Sequence, residues 1–275
     1  MLIVIGSVKG SPGVSCLTAG VAASRQGGNG SVLVIEADPT GGVAAGRSGL
    51  GAHPGMASLA IRTRGAALAA ATVAEHVQVL QSGAGVLIGP VAGDEASSGL
   101  DVLAGPLARF ARSRRDGELL LADVGRMHPD SAAAPLVSTA DGVVLVTHAD
   151  REGLEQAASW LRTAGELNGR IAVVARQPST GLEYSPQEIA DGLSVQVLGR
   201  LPHDEIAATA FTSAQRRAGR GDRRRGGWWR AVAQVGERVA QLKPLVSNEP
   251  MAATVRGIPQ GEQPGTQHVW PAGSR

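Results

Sequence analysis

The chain has 275 residues, enough to bury a sizeable core, and we expect one domain followed by a tail. Hydrophobic residues make up 43% of the chain and aromatic residues only 3%, which predicts a core built from aliphatic side chains. The net charge of +2 gives no general argument for binding to nucleic acid. A single cysteine excludes an intrachain disulfide, and no apolar stretch is long enough to span a membrane, so we expect a cytoplasmic protein.

Short apolar runs recur along the chain and predict buried β-strands, because they are too short for buried helices and too continuous for half-exposed strands. The runs lie at 2–5, 32–35, 77–80, 86–88, 119–121, 143–146, 171–174 and 195–198. Helical patterns lie between many of them, one after the predicted N-cap Asp150 and another at the capping box of Ser185 and Glu188. This alternation predicts an α/β fold with a doubly wound, mostly parallel sheet flanked by helices.

Ligands of a doubly wound sheet bind at the carboxyl ends of its strands, so the loops after the strands are where a site is expected. The first loop reads KGSPGVSC, residues 9–16. Such a turn before a helix can hold phosphate through backbone N–H groups and the positive end of the helix. Against the motif G-x-x-x-x-G-K-[ST], Gly13 and Ser15 fit, but Val14 replaces the lysine and Val8 the first glycine. Taken alone this is a weak signal, because a glycine-rich turn can be purely structural.

Two further strand ends carry carboxylates. Glu36 and Asp38 stand two residues apart after the second strand, and Asp123 follows the apolar run at 119–121. Carboxylates in such places can position water or support Mg²⁺ beside a triphosphate. A lone aspartate at a strand end is more often a turn former, but three loops of this kind in this order are hard to produce by chance.

The three segments together resemble the ParA/MinD family of deviant Walker P-loop ATPases. Lys9 matches the signature lysine of the family, Gly13 its glycine and Ser15 its Mg²⁺-binding hydroxyl, while Cys16 occupies a second hydroxyl position. The segments VLVIEADPTGG and LLLADVG resemble its next two motifs, and the similarity extends to about residue 242. The resemblance implies a P-loop NTPase domain over residues 1–243 that binds ATP and Mg²⁺ and forms a homodimer. Residues 244–275 are predicted to be a disordered tail, because they have no apolar pattern.

The resemblance also implies a role for each site residue. The nucleotide would be held by the whole first loop, namely Lys9, Gly10, Ser11, Pro12, Gly13, Val14, Ser15 and Cys16. Mg²⁺ would be bound by Ser15 and Asp123, with Glu36 as a further carboxylate. Asp38 would orient the attacking water, and Lys9 would reach across the dimer to the partner's nucleotide. The task implied is the positioning of DNA, of a plasmid or chromosome, or of a cell-envelope machine.

The valine in the first loop bears directly on catalysis. The family has a lysine where Val14 stands, and that lysine balances phosphate charge during transfer, so we expect ATP binding with weak or absent ATPase activity. Arg126 is a candidate replacement cation. Arg176 or Gln177 stands where relatives place an asparagine, which leaves adenine and other bases open. A non-hydrolysing scaffold or adaptor is the alternative function, and a nucleotide-independent DNA-binding protein is a third.

Two features near the C-terminus suggest surfaces for partners. A cluster of arginines could neutralise DNA phosphates, although an exposed basic loop is the more common explanation. Its members are Arg216, Arg217, Arg220, Arg223, Arg224 and Arg225. The next segment, 228–242, has an apolar helical stripe, which we interpret as a last helix packed on the sheet. A weak membrane contact through Trp228 and Trp229 is the alternative, so association with the nucleoid or with a membrane stays open.

Overall fold

The computed structural model describes residues 1–9, 12–25, 31–114, 118–167, 170–179, 181, 183–204 and 226–242. Within these residues an eight-stranded sheet is flanked by helices, which confirms the predicted α/β fold. The predicted arginine cluster and the predicted tail at 244–275 lie outside the described residues, so both stay predictions.

Each of the apolar runs singled out in the sequence forms a strand. The strands are β1 Leu2–Ser7, β2 Val32–Glu36, β3 Gln78–Val79, β4 Gly85–Leu87, β5 Leu119–Arg126, β6 Gly142–His148, β7 Ile171–Arg176 and β8 Gln196–Leu201. Their order in the sheet is β3-β4-β2-β5-β1-β6-β7-β8. Neighbouring strands are parallel except β3 and β4, which are antiparallel. The mostly parallel sheet is therefore confirmed, with its short antiparallel strand at one edge.

The helices connect these strands across the sheet. They are α1 Val14–Arg25, α2 Ala44–Ser48, α3 Met56–Thr63, α4 Ala70–Ala74, α5 Gly93–Arg112, α6 Ala134–Thr139, α7 Arg151–Thr163, α8 Pro186–Leu193 and α9 Gly227–Ala240. The Asp150 carboxylate accepts a hydrogen bond from the Gly153 N–H at 2.8 Å, as expected for the N-cap of α7. Ser185 and Glu188 form the predicted capping box at the start of α8.

The last helix packs into the core rather than facing solvent. Trp228 is 5% exposed, and Val232, Val235 and Val239 are fully buried in the cluster that also contains residues of α1. A Cβ on Gly20 of α1 would lie 2.9 Å from the Val232 side chain, so the glycine permits the close approach of the two helices. The packed-helix interpretation is thus confirmed.

The burial of Trp228 corrects one half of the membrane hypothesis. Its ring lies in the core, where it meets the half-buried Trp229 ring edge-to-face at 5.1 Å, so Trp228 does not face a membrane in this fold. A contact through Trp229 stays a prediction. None of the helices in the described ranges is long and apolar enough to cross a bilayer.

The sheet order brings the three predicted loops together. β5 lies between β1 and β2, and Asp123 is the register partner of Ile5 on one side and of Glu36 on the other. Since all three strands are parallel, their carboxyl ends open on the same edge of the sheet. The segments that follow these strands, described at 8–9, 12–13, 37–43 and 127–133, therefore leave the sheet side by side.

The packing of α9 can be tested by truncating its two tryptophans in turn. Because Trp228 is buried and Trp229 only half-buried, Trp228→Ala should lower the free energy of unfolding by about 3 to 5 kcal/mol. The matched variant Trp229→Ala should lower the free energy of unfolding by clearly less. Urea unfolding followed by circular dichroism measures both variants. Equal losses for the two would contradict the burial of Trp228.

Candidate functional site

Helix α1 begins at the carboxyl edge of the sheet, directly after the first loop. Gly13 has φ of +95°, in the region that favours glycine, and its carbonyl accepts the first bond of α1 from the Leu17 N–H at 2.9 Å. The first N–H groups of a helix have no partner within it, so the start of α1 offers donors to an anion. Pro12 is buried beside this turn, whereas Gly10 and Ser11 lie outside the described residues.

Val14, the valine that replaces the predicted lysine of the first loop, contributes to packing. Its side chain is 6% exposed and belongs to the apolar cluster that contains Ile5 and Leu17. Its carbonyl accepts a hydrogen bond from the Thr18 hydroxyl at 3.0 Å. The position therefore offers a bound anion only its backbone N–H.

Asp123 is a buried carboxylate at the centre of the site. It is 4% exposed, its Oδ1 accepts a hydrogen bond from the Gly125 N–H at 3.0 Å, and the Ser15 hydroxyl interacts with its carboxylate as a donor. Burial raises the pKa of Asp123 to about 6, against the opposing effect of these hydrogen bonds and with smaller contributions from the charges of Glu36 and Asp38. At neutral pH the group is ionised yet poorly compensated, so it favours a bound cation.

The residues present fit a Mg²⁺ ion that is bound together with phosphate. Ser15 and Asp123 offer hydroxyl and carboxylate oxygens, the ligand type that Mg²⁺ prefers. In the part of the chain that the structure describes, no three His, Cys, Asp or Glu residues are grouped to hold a metal ion by themselves. Mg²⁺ commonly takes one or two protein ligands and completes its shell with phosphate and water. The site has this composition.

Glu36 accepts hydrogen bonds from the backbone at the carboxyl edge of the sheet. Its Oε1 accepts hydrogen bonds from the N–H groups of Val43 at 2.5 Å and Ala44 at 2.7 Å, and its Oε2 accepts one from Gly89 at 3.0 Å. Burial raises the pKa of Glu36, and the three hydrogen bonds oppose that shift. Both carboxylate oxygens thus accept hydrogen bonds from backbone N–H groups. The carboxylate therefore anchors the start of α2, and its role as a Mg²⁺ ligand stays a prediction.

Asp38 lies against Gly125, two residues after Asp123 in β5. Its Oδ1 accepts hydrogen bonds from the Thr40 N–H at 2.8 Å and the Thr40 hydroxyl at 2.7 Å. A Cβ on Gly125 would lie 2.0 Å from Asp38 Oδ2, so only glycine permits this contact. The φ of +56° at Gly125 also favours glycine. The structure therefore brings Asp38 to the site, and its predicted role toward water stays a prediction.

Lys9 is paired within the single chain. Its Nζ lies 2.7 Å from Glu152 Oε1 in the first turn of α7, and the two side chains are 52% and 72% exposed. The pKa of Glu152 is lowered by the hydrogen bond and charge of Lys9. Exposed pairs of this kind contribute little stability, so the lysine can leave it at small cost. A contact across a dimer is not tested by one chain.

Arg47 is a cation at the site that no sequence motif predicts. It lies in α2, and its Nη1 donates to the Sγ of Cys16 at 3.6 Å. Cys16 is half-buried in the first turn of α1. The other candidate cation, Arg126, is exposed at the end of β5, opposite Ser7 in the sheet register. A short helix after an aspartate loop carries no sequence signal for this contact.

A second polar cluster lies at the ends of β6, β7 and β8. His148 and Arg176 are register partners, and Gln177 Oε1 accepts a hydrogen bond from the His203 N–H at 3.3 Å. Among the described residues, the buried Nδ1 of His148 has no hydrogen-bond partner, and burial, followed by the charge of Arg176, lowers the pKa of His148. Arg176 and Gln177, predicted near the base, are thus adjacent to this edge of the sheet.

The fold is shared with solved structures of ATPases. No protein-family model matches the sequence, and no curated protein matches it significantly. The ParA family ATPase from Chlorobium tepidum is 19% identical, with a TM-score of 0.67, over 85% of this chain and 98% of that one.

Two MinD structures are also similar. The septum site-determining protein MinD complexed with Mg-ADP from Pyrococcus horikoshii is 16% identical, with a TM-score of 0.70, over 86% of this chain and 95% of that one. The MinC:MinD cell division complex from Aquifex aeolicus matches at 16% identity and a TM-score of 0.58, over 87% and 95% of the two chains. The chain therefore has the P-loop NTPase fold of the ParA and MinD ATPases, as the sequence predicted.

The raised pKa of Asp123 predicts how stability depends on pH. Between about pH 4 and 6 the folded chain holds a proton on Asp123 that the unfolded chain has released, so stability falls as pH rises through this window. Asp123→Asn removes the charge and should raise the free energy of unfolding at pH 7.5 by about 1 to 3 kcal/mol, with little gain at pH 4. Urea unfolding at both values measures this. A loss of stability at pH 7.5 contradicts an uncompensated buried charge.

The anchoring role of Glu36 predicts a structural effect of its removal. Glu36→Ala leaves three backbone N–H groups without their acceptor and should lower the free energy of unfolding by about 3 kcal/mol or more. Glu95→Ala, at an exposed position of α5, is the control and should change little. Chemical unfolding of both variants is the measurement, and equal effects would refute the anchor.

Proposed function

We propose that this chain is an ATP- and Mg²⁺-binding switch of the ParA/MinD type that binds nucleotide readily and hydrolyses it slowly or not at all. The observation that carries the proposal is the convergence of the start of α1, Asp38 and the buried, ionised Asp123 at one edge of the sheet. The related MinD complexed with Mg-ADP supports the choice of nucleotide and metal.

Each group at the site has a chemical task in this proposal. Backbone N–H groups at the start of α1 bind phosphate oxygens, and Ser15 and Asp123 hold Mg²⁺. When bound, Mg²⁺ supplies neutralisation of phosphate charge. Asp38 is fixed by its two hydrogen bonds from Thr40 and orients a water molecule toward the terminal phosphate.

Slow turnover follows from the burial of Val14. Negative charge on the transferred phosphoryl group must be met by fixed positive groups during the reaction. The Val14 side chain packs in the core and has no charge to offer. Binding of ATP before the reaction depends less on a lysine at position 14, because the backbone N–H donors and Mg²⁺ still hold the phosphates.

Control of dimerisation by nucleotide is the second part of the proposal. Lys9 would exchange its exposed pair with Glu152 for the nucleotide of a second copy, at small energetic cost. The MinC:MinD complex supports the expectation of a protein partner as well. The task would be the positioning of DNA or of a cell-envelope machine.

A non-hydrolysing scaffold is the second candidate function. The observation that favours it is Val14, since a buried aliphatic side chain at this position needs no nucleotide to be stable. The retained group of Ser15, Asp38 and Asp123 favours the switch. The third candidate, a nucleotide-independent DNA-binding protein, depends on arginines outside the described residues.

The single cysteine provides a direct test of nucleotide binding. Because Cys16 is half-buried in the first turn of α1, ATP with Mg²⁺ should slow its reaction with a thiol reagent at least several-fold, and calorimetry should detect the same binding. Asp123→Asn should remove the Mg²⁺ dependence of the affinity. If ATP leaves the reaction rate of the Cys16 thiol unchanged and calorimetry detects no binding by the native chain, as monomer or dimer, the switch is contradicted and the scaffold is favoured.

Turnover is tested by phosphate release. The native chain should be slow and Asp38→Ala slower, whereas Val14→Lys should be faster if the missing charge is the limit. Val14→Met is the control for side-chain size, and thermal unfolding reports whether the lysine can be accommodated. A native rate that Val14→Lys leaves unchanged, in a folded variant that binds ATP, contradicts this explanation of slow hydrolysis.

A further inference from the structure

Arg47 is a half-buried cation whose hydrogen-bonding capacity is largely unused. A guanidinium has five N–H donors, and the one side-chain contact found for Arg47 within the described ranges is with the Cys16 thiol, a weak acceptor, at 3.6 Å. None of the ion pairs among the described residues involves it. Arginines of this kind are suited to binding phosphate in a bidentate manner.

The position of Arg47 is fixed by buried interactions. Glu36 accepts hydrogen bonds from the N–H groups of Val43 and Ala44, which sets the start of α2. The Arg47 N–H then donates to the Val43 carbonyl at 3.0 Å, one turn further along. The guanidinium consequently reaches the first turn of α1, two residues after Val14.

The side chains around the site are mostly acidic, so a bound nucleotide would need a further positive charge, which Arg47 can provide. Glu36, Asp38 and Asp123 are all acidic, and a nucleotide would add further negative charge. Lys9 is paired with Glu152 on another helix. Arg126 lies at the exposed end of β5, whereas the contact of Arg47 with Cys16 places it beside the helix start that would hold phosphate.

We propose that Arg47 provides the positive charge for the outer phosphates of the nucleotide that a lysine at position 14 would otherwise provide. On binding, its guanidinium leaves the Cys16 thiol and donates to oxygens of the β- and γ-phosphates. The exchange is favourable because a charge-assisted contact replaces a weak one. This inference rests on the proposed nucleotide site and adds a specificity residue to it.

The experiment compares nucleotides that differ only in their phosphates. Calorimetry with ATP, ADP and AMP, each with Mg²⁺, is carried out on the native chain, Arg47→Gln and Arg47→Lys. Arg47→Gln should lower the affinity for ATP and for ADP about tenfold or more, which corresponds to the loss of a charge-assisted hydrogen bond. The affinity for AMP should stay unchanged. Arg47→Lys should recover part of the loss, because it keeps the charge without the planar fork.

Two further arginines serve as matched controls. Arg62→Gln, at an exposed position of α3, should bind like the native chain. Arg126→Gln tests the competing cation and should also bind ATP like the native chain. Thermal unfolding of each variant separates loss of binding from loss of fold. In an Arg47→Gln background, Val14→Lys should restore part of the ATP affinity, which a merely structural arginine does not predict.

The outcomes distinguish this inference from the function on which it rests. Absence of ATP binding by the native chain overturns both. Native binding with an Arg47→Gln affinity equal to that of Arg62→Gln overturns the role of Arg47 alone and leaves the nucleotide site standing. An equal loss of ATP and AMP affinity, or a destabilised Arg47→Gln that Arg47→Lys does not rescue in binding, assigns Arg47 to the fold and overturns the proposal.

Discussion

Two carboxylates buried side by side at the centre of a parallel sheet constrain the rest of this structure. Glu36 ends β2 and Asp123 lies opposite it on β5, each 4% exposed. A buried charge is costly unless it is compensated, and burial raises the pKa of both groups. Glu36 accepts hydrogen bonds from three backbone N–H groups and thereby fixes α2, whereas Asp123 accepts them from the Gly125 N–H and the Ser15 hydroxyl. Glu36 therefore holds the framework, and we propose that Asp123 serves a bound ligand.

This division of roles connects stability to function. Ionised Asp123 reduces the stability of the free chain at neutral pH, and a cation bound there would recover that energy. Sites that bind charged ligands commonly retain such unfavourable groups. The anchored α2 also positions Arg47 beside the start of α1. We propose that Arg47 provides the positive charge that Val14 lacks, so that the nucleotide can still bind.

The sequence predicted the framework well for identifiable reasons. Continuous aliphatic runs marked the strands of a parallel sheet, and the caps at Asp150 and Ser185 are local signals that tertiary contacts did not override. Convergence of the three loops followed from the rule that parallel strands open on one edge. The role of Glu36 could not be predicted, because its partners lie 7, 8 and 53 residues away. Nor could the contact of Arg47 with Cys16, which depends on how α2 turns after its anchor.

The central claim is that ATP and Mg²⁺ bind where β1, β2 and β5 end, and hydrogen–deuterium exchange measures this directly. With the full chain and a non-hydrolysed ATP analogue, Mg²⁺-dependent slowing of amide exchange is expected at 13–17, 38–44 and 123–126. Asp123→Asn should reduce that protection, and exchange in α5 should stay unchanged. Protection confined to other parts of the chain, or none at saturating nucleotide, would contradict the account.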